Sequence, residues 1–517
     1  MSKGRLLAVC LVWLFIAGIA AIGYKFFIAP GQAKKAQTEE EKRRIREEKE
    51  NARLLSNTGS DGRYKHVINF GLDSFSGYSI LRSEDFKKRL ANKRIKFSYN
   101  DDGADFQKRL EMLKNGQLQM AVFTVDALIK ASSVLKDTPA TIVAMVDETR
   151  GADAMVAYKS TIPNLDALNS ADIEFVVTPD SPSETLTRVV MSHFNLDNLR
   201  ANPFVAKKDA QEVYNSYRTA KADEKKAYVL WEPYVTKALE NPNVHIVVDS
   251  SRFRGYIVDV IVVSRDFLVK NKELVNDIIK TYFHSVYQYR SSMEALVVKD
   301  ADENDLFLSQ KAAQRLVKGI WWKNSLENFD QFGLGQGKLQ HIEDIISNIT
   351  AVLLKSGAIE SDPFEGKASL LYYSKSLEEI KAAGFQAGMQ QETIRDDVLQ
   401  LSVLQNSEWD RLSPVGTLSV PQLSFARGTD KLSEHSIAIL DELYDKLRTW
   451  PQYYLLIRGN ASLRGDLEAN QALALSRAET ARKYLIAKGI KEHRVNARGG
   501  TPSGSSSVSF IFGKKDY

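Results

Sequence analysis

The chain has 517 residues, a formal net charge of +5 and 44% hydrophobic residues. That length leaves room for two or three folded domains; the apolar share suits ordinary cores and excludes a disordered chain; and so diffuse a charge excludes a dedicated nucleic-acid surface. A single cysteine, Cys10, excludes a disulfide framework, a thiolate zinc site and a thiol nucleophile in the rest of the chain.

Leu6 to Tyr24 carries no charge and approaches the ~20 residues that a helix needs to cross a bilayer. Lys3 and Arg5 precede it, so the N-terminus is expected on the cytoplasmic side. A cleaved signal peptide is the rival, but its apolar core is shorter and ends at a small-residue site. Here apolar sequence resumes after Lys25 with Phe26-Phe27-Ile28. Leu7-Ala8-Val9-Cys10 is only loosely like a lipoprotein site, because Val9 is large where a small residue belongs. Residues 1–30 therefore read as a cytoplasmic tip and an uncleaved single-pass anchor. Residues 31–62 read as a charged helical stalk, with Glu39/Arg43 and Glu40/Arg44 at i,i+4 spacing; a short coiled coil is the alternative. Asn57 to Gly62 breaks that helix.

From His66 the pattern changes. Short apolar runs at 66–72, 94–99, 118–123 and 141–146 predict strands, with a helix at 105–113 between two of them. After Pro163 the grain repeats, with strands at 173–178, 227–230, 245–248 and 256–263 and helices at 183–193, 210–220 and 232–239. Alternating strands and helices predict parallel, doubly wound sheets. Two such halves predict two lobes with a cleft. Helices follow at 270–290, up to 316, at 341–354 and at 377–383. Polar turn-formers at 406–416 mark a linker, so the two-lobed domain with its helical extension spans 63–405.

Four segments of this region, Gly71–Tyr78, Asp101–Asp105, Asn115–Ala127 and Val229–Tyr234, resemble the solute-binding proteins of nitrate-, sulfonate- and thiamine-precursor-type ABC importers. The resemblance covers about residues 64–345 and implies a ligand cleft between the lobes. Strand ends followed by helix N-termini direct backbone N–H groups into such a cleft. Ser74, Ser76 and Tyr78 after the first strand, Thr124 after the third, and Ser181 and Ser183 after the run IEFVVTPD add hydroxyls suited to a small polar or anionic solute. Trp231 and Glu232 lie where that family often lines its cleft. Competing structural roles are a helix cap for Ser183, packing for Trp231, and turns or caps for Asp73 and Asp126. Asp147 and Glu148 read as surface or turn residues. The sequence contains no H-E-x-x-H, Walker A or G-x-S-x-G pattern, and its histidines are scattered, so neither an enzyme nor a cofactor or metal site is expected.

At the C-terminal end, Pro421–Phe425 predicts a strand. A helix from Ser433 carries Ile437, Leu440, Leu443 and Leu447 on one face. A strand at 453–458, a helix at 470–488 and a strand at 508–512 complete a β-α-β-α-β order. Asn470 to Leu485 reads N-x-x-L-x-x-x-R-A-x-x-A-x-x-x-L and resembles the peptidoglycan-binding helix of OmpA-like domains. That resemblance covers residues 417–517. It implies that Arg477 forks onto a carboxylate of the peptide stem, beside Asn470. The acid of the family's pair falls at Ser462, with Gly459 and Gly465 in register around it; Asp466 is the nearest carboxylate that can replace it. A surface salt bridge is the plainer role for Arg477.

The expectation is thus an α/β protein of the bacterial inner membrane with its bulk in the periplasm. It would bind a small solute in an interlobe cleft and contact peptidoglycan. An importer's solute receptor and a non-binding structural scaffold are the alternatives, and a membrane-protein partner is left open.

Overall fold

A computed structural model describes residues 64–194, 196–304, 307–336, 339–395, 401–417, 423, 425–426, 428–449, 453–500 and 507–514. The expected anchor and stalk lie outside these residues. No described helix is long and apolar enough to cross a membrane.

The first lobe holds β1 (His66–Leu72), β2 (Ile95–Asp101), β3 (Met120–Thr124) and β4 (Ala140–Thr149). The second holds β5 (Asp153–Tyr158), β6 (Glu174–Val177), β7 (Phe204–Ala206), β8 (Lys226–Trp231) and β9 (Val244–Asp249). The chain then returns to the first lobe as β10 (Val258–Ser264) and β11 (Ile320–Trp322). The sheet orders are β11-β4-β10-β3-β1-β2 and β7-β6-β8-β5-β9. Two crossings therefore join the lobes, at 150–152 and 250–257.

The sheets are mixed rather than parallel throughout, which corrects the sequence expectation. β1 and β3 are parallel, but β10 is antiparallel to both β3 and β4, and β5 is antiparallel to β8 and β9. The cause is topological. β4 carries the chain out of the first lobe and β10 carries it back, so these two strands must run oppositely. Every residue of β4 and β10 is buried, as suits central strands covered on both faces.

Short polar caps start the helices. Ser83 accepts from Phe86 N at 3.2 Å and Asp105 from Lys108 N at 3.0 Å, each satisfying one of the orphan donors of a first turn. The helical extension braces both lobes. Tyr373 N donates to Ile142 O at 2.8 Å in the first lobe, and Arg188 of the second donates to Ser356 O at 2.8 Å.

The C-terminal domain has a four-stranded sheet ordered β12-β15-β13-β14, made of β12 (Ser413–Thr417), β13 (Tyr454–Gly459), β14 (Val495–Gly499) and β15 (Val508–Lys514). Helices Glu434–Thr449 and Leu467–Ala487 pack on it through Leu440, Leu443, Ala478, Ala481 and Leu485. Two expectations change here. Residues 406–416 are not a bare linker: Asn406–Trp409 is helical, β12 pairs antiparallel with β15, and Trp409 meets Tyr454 edge-on at 5.5 Å. The strand expected at 421–425 is represented among the described residues only by a bridge from Phe425 to Leu432. β14 extends the predicted order by one strand, parallel to β13. Gly459 ends β13 against the long helix; a Cβ there would lie 1.9 Å from the Ala474 carbonyl oxygen.

This domain rests near the return crossing. The Arg252 guanidinium lies 5.9 Å from the Tyr453 ring centroid. Burial, with the nearby charge of Arg254, pulls Arg494 down to about 10.

Candidate functional site

Strand pairing places Asp147 of β4 directly opposite Asp259 of β10. Both are buried, at 0% and 1% exposure, so the reading of Asp147 as a surface or turn residue is corrected. Tyr78 donates its hydroxyl to Asp259. As two ionised carboxylates, Asp147 and Asp259 have no donor between them, and neither Asp147 oxygen has a hydrogen-bond partner among the described residues. With one proton they share a hydrogen bond. Burial, ahead of the charges of Asp153 and Glu148, pushes the Asp147 carboxyl up to about 7, against the opposing pull of Asp259 and Lys323. Burial and the charge of Asp147 raise Asp259 as well.

Further carboxyls continue this core into the second lobe. Burial, then the charges of Asp126 and Glu232, pushes Asp153 up to about 7 against a hydrogen bond from Thr149. Burial also raises Asp126, against Thr185, Thr124 and Lys130. The hydroxyls of Thr124, Thr149, Thr178 and Ser183 are buried and make no hydrogen bond of normal geometry among the described residues. Buried polar atoms are almost always satisfied in folded proteins, so this concentration at the ends of β3, β4 and β6 marks the interlobe region as the candidate site.

Glu148 has a different environment, although it too is buried rather than at the surface. Strand alternation turns it to the other face. It accepts from Lys323 Nζ at 2.7 Å, Gly255 N at 3.0 Å and Arg150 at 3.1 Å. Burial opposes its ionisation, but these partners outweigh it and hold the carboxyl at about 2. The Lys323 ammonium lies 3.6 Å from the Trp321 ring centroid and the Arg150 guanidinium 3.4 Å. Burial still brings Lys323 down to about 8.

The lobes meet at one edge of the site. Thr185 of the second lobe donates to Asp126 of the first. Lys130 of the first reaches Asp180 at 2.5 Å and Glu184 at 3.1 Å of the second.

The residues singled out from sequence divide accordingly. Tyr78, Thr124 and Ser183 are buried in this region. Ser76 is buried and Ser74 half-buried, beside the Asp73 turn. Ser181 is buried, but its hydroxyl donates to Thr178 O at 2.7 Å. Trp231 is half-buried at the end of β8. The Glu232 carboxylate is occupied: it accepts from Thr236 N and Oγ1 at 3.2 and 3.0 Å and lies 2.6 Å from Arg315 Nε.

An anionic solute lacks a counter-charge here. Lys130 is held by Asp180 and Glu184, Lys323 by Glu148, and Arg109 by Asp102 at 2.5 Å and Asp73 at 3.1 Å. The buried carboxyls favour a ligand that brings hydrogen-bond donors or positive charge. Sequence reasoning missed Asp153, Asp259, Thr149 and Thr178. An acid inside the run VDVIVV was the available signal for Asp259, since burying a charge is unfavourable unless it is paired.

In the C-terminal domain, Asn470 secures the loop before its helix, donating to Ser462 O at 3.3 Å and Arg464 O at 2.8 Å. Asp466 is the helix cap, accepting from Glu468 N at 3.0 Å and Ala469 N at 3.2 Å. Arg477 is 8% exposed; it donates to Thr429 O at 3.0 Å and Ala426 O at 3.3 Å and lies 5.0 Å from the Phe425 ring centroid. The surface salt bridge expected as its plainer role is not what holds it; backbone carbonyls do. Ser462 accepts from Arg464 N at 3.1 Å within the same loop.

Residues 424–507 match the OmpA family. No curated protein matches the chain. Among solved structures, the aliphatic sulphonate binding protein SsuA from Escherichia coli is 15% identical with a TM-score of 0.43, over 57% of this chain and 94% of its own. A ligand-binding component of an ABC-type import system from Staphylococcus aureus, with zinc bound, is 12% identical with a TM-score of 0.44, over 61% and 99%. The Candida albicans CA3427 gene product, described as having the generic periplasmic binding protein fold, is 11% identical with a TM-score of 0.43, over 65% and 99%.

Proposed function

We propose that the protein is a non-catalytic envelope binding protein, anchored in the inner membrane through Leu6–Tyr24, that holds a small polar solute between its two lobes and contacts peptidoglycan through its C-terminal domain. The observation that carries the solute reading is Asp147, fully buried with no partner for its carboxylate oxygens beyond a proton shared with Asp259, in the region where the buried hydroxyls of Thr178 and Ser183 make no hydrogen bond among the described residues. Such groups are costly to bury unless something satisfies them. A solute with amine, amidine or similar donor groups supplies both the donors and the charge that the core lacks. Of the polar or anionic solute expected from sequence, this chemistry favours the polar one.

The wall reading rests on the OmpA-family match over 424–507 and on Arg477 held between the helix and the 426–429 loop. The membrane reading rests on the uncharged run at Leu6–Tyr24 alone.

Native mass spectrometry of the full chain, purified without denaturation, tests the solute reading. A bound small molecule is expected in the wild type, lost in Asp147→Asn. The reading fails if the wild type carries no adduct and shows no heat when titrated with a panel of small amines and amidines.

A further inference from the structure

A second concave site lies outside the acidic core. Arg150, Thr236, Ser251, Lys311, Arg315 and Lys318 line a groove of about 410 Å³ at the junction of the lobes. Its chemistry is the reverse of the core's. Four of these side chains are cations, and Asp249 is the only acid in the lining. Asp249 is itself engaged, accepting from Ser251 N at 3.0 Å.

The charges converge for structural reasons. Lys311, Arg315 and Lys318 recur at i, i+4 and i+7 on helix Gln310–Gly319, which aligns them on one face. The end of that helix is joined to the first crossing: Arg150 N donates to Gly319 O at 2.5 Å. No bulkier residue than glycine fits there, since a Cβ on Gly319 would lie 2.6 Å from Ala152 N. The second crossing contributes Ser251. The groove therefore touches both segments that join the lobes.

The acids nearby offset this charge only in part. Glu148 lies 3.1 Å from Arg150 but is shared with Lys323, and Glu232 lies 2.6 Å from Arg315 while accepting two hydrogen bonds from Thr236. Lys311 and Lys318 make no ion pair among the described residues. Burial, together with the charges of Arg254 and Arg395, brings Arg150 down to about 10 although Glu148 opposes this.

We propose that this groove binds a small multivalent oxyanion, a phosphate ester or a polycarboxylate, held by Arg150 and Arg315 at its floor and by Lys311 and Lys318 at its rim. Guanidinium groups fork onto such oxygens and ammonium groups add point charge. Because the groove is lined from both crossings, its occupancy is linked to the relative posture of the lobes, and therefore to the affinity of the interlobe site.

Titration calorimetry of the full chain at low ionic strength tests this, with inorganic pyrophosphate and citrate as probes and acetate as the monovalent control. Saturable binding of pyrophosphate or citrate is expected, and the stronger of the two identifies the source chemistry. Lys311→Glu with Lys318→Glu is expected to weaken it by about tenfold or more, because like charge replaces attraction at the rim. Both lysines are exposed, so an unchanged melting temperature reports an intact fold. Asp147→Asn is expected still to bind the anion saturably, which separates this site from the interlobe one. The proposal is overturned if neither multivalent probe saturates, if acetate binds equally well, or if the double variant binds like the wild type.

Discussion

Asp147 and Asp259 are cross-strand neighbours on the two strands that join the lobes, and burial leaves the pair without a donor unless one of them keeps a proton. The two strands that lead to and from the second lobe are thus linked, within the first lobe's sheet, through a titratable contact.

That contact predicts an unusual pH dependence. An unfolded Asp titrates near ~3.9, and the folded Asp147 carboxyl is pushed up to about 7. Between these values the folded state holds a proton that the unfolded state has released. Stability from this group is therefore full below about pH 4, falls as pH rises towards 7, and is flat above. The span corresponds to roughly 4 kcal/mol at most, and it is shared with Asp259 rather than added to it. Urea midpoints of the wild type should fall between pH 4.5 and 7.5, and those of Asp147→Asn should fall less. Parallel curves would show that the pair does not titrate in this range.

Lys323 and Glu148 predict a different imbalance. Both are buried, and their contact is 2.7 Å. Lys323→Met leaves a buried carboxylate short of its main cation and should cost about 3–5 kcal/mol. Adding Glu148→Gln should restore part of that loss, because the remaining charge is removed. Chemical denaturation of both variants at pH 7 checks the order; a double variant less stable than the single one contradicts it.

Closure should respond to a single hydroxyl. Thr185→Val removes the donor that links the second lobe to Asp126 of the first. Leaving Asp126 with one donor fewer should disfavour the closed form by about 1–3 kcal/mol. Small-angle scattering of the unliganded protein should give a larger radius of gyration for the variant. An identical radius would assign the closed form to other contacts.

In the C-terminal domain, the position that pairs with Arg477 in the family pattern is Ser462, and Asp466 is occupied as a helix cap. Ser462→Asp should restore the acid of the family pattern and, on the proposed wall reading, increase retention on purified peptidoglycan. Arg477→Ala should reduce retention several-fold, the outcome expected if the proposed fork onto a stem carboxylate is what holds the wall. Retention that ignores both substitutions would place the wall contact elsewhere.

Much of the architecture was legible from local pattern. β1, helix Phe106–Lys114, helix Pro182–His193 and helix Leu467–Ala487 fall close to the expected boundaries, because period, caps and breakers act over a few residues. β5 was missed between Gly151 and Lys159, and the parallel reading of both sheets was incomplete, because strand direction is a property of pairing and not of sequence run. Tyr78, Thr124 and Ser183, all three buried, were singled out because they follow strand ends. Their acidic neighbours were not, because Asp147 in TIVAMVDET looks like the close of a strand and Glu148 beside it like its polar turn.

By itself, then, the sequence determined the order of the lobes and the C-terminal domain and the position of many of their helices and strands, since each is written within a few adjacent residues. Only the tertiary structure decided which charges are compensated. Asp147 meets Asp259, Glu148 meets Lys323, and Arg150 joins Lys318 at the groove, through residues far apart along the chain. Desolvation depends on what surrounds a group in space, and that is why the proposed ligand is donor-rich in the core and an oxyanion at the junction.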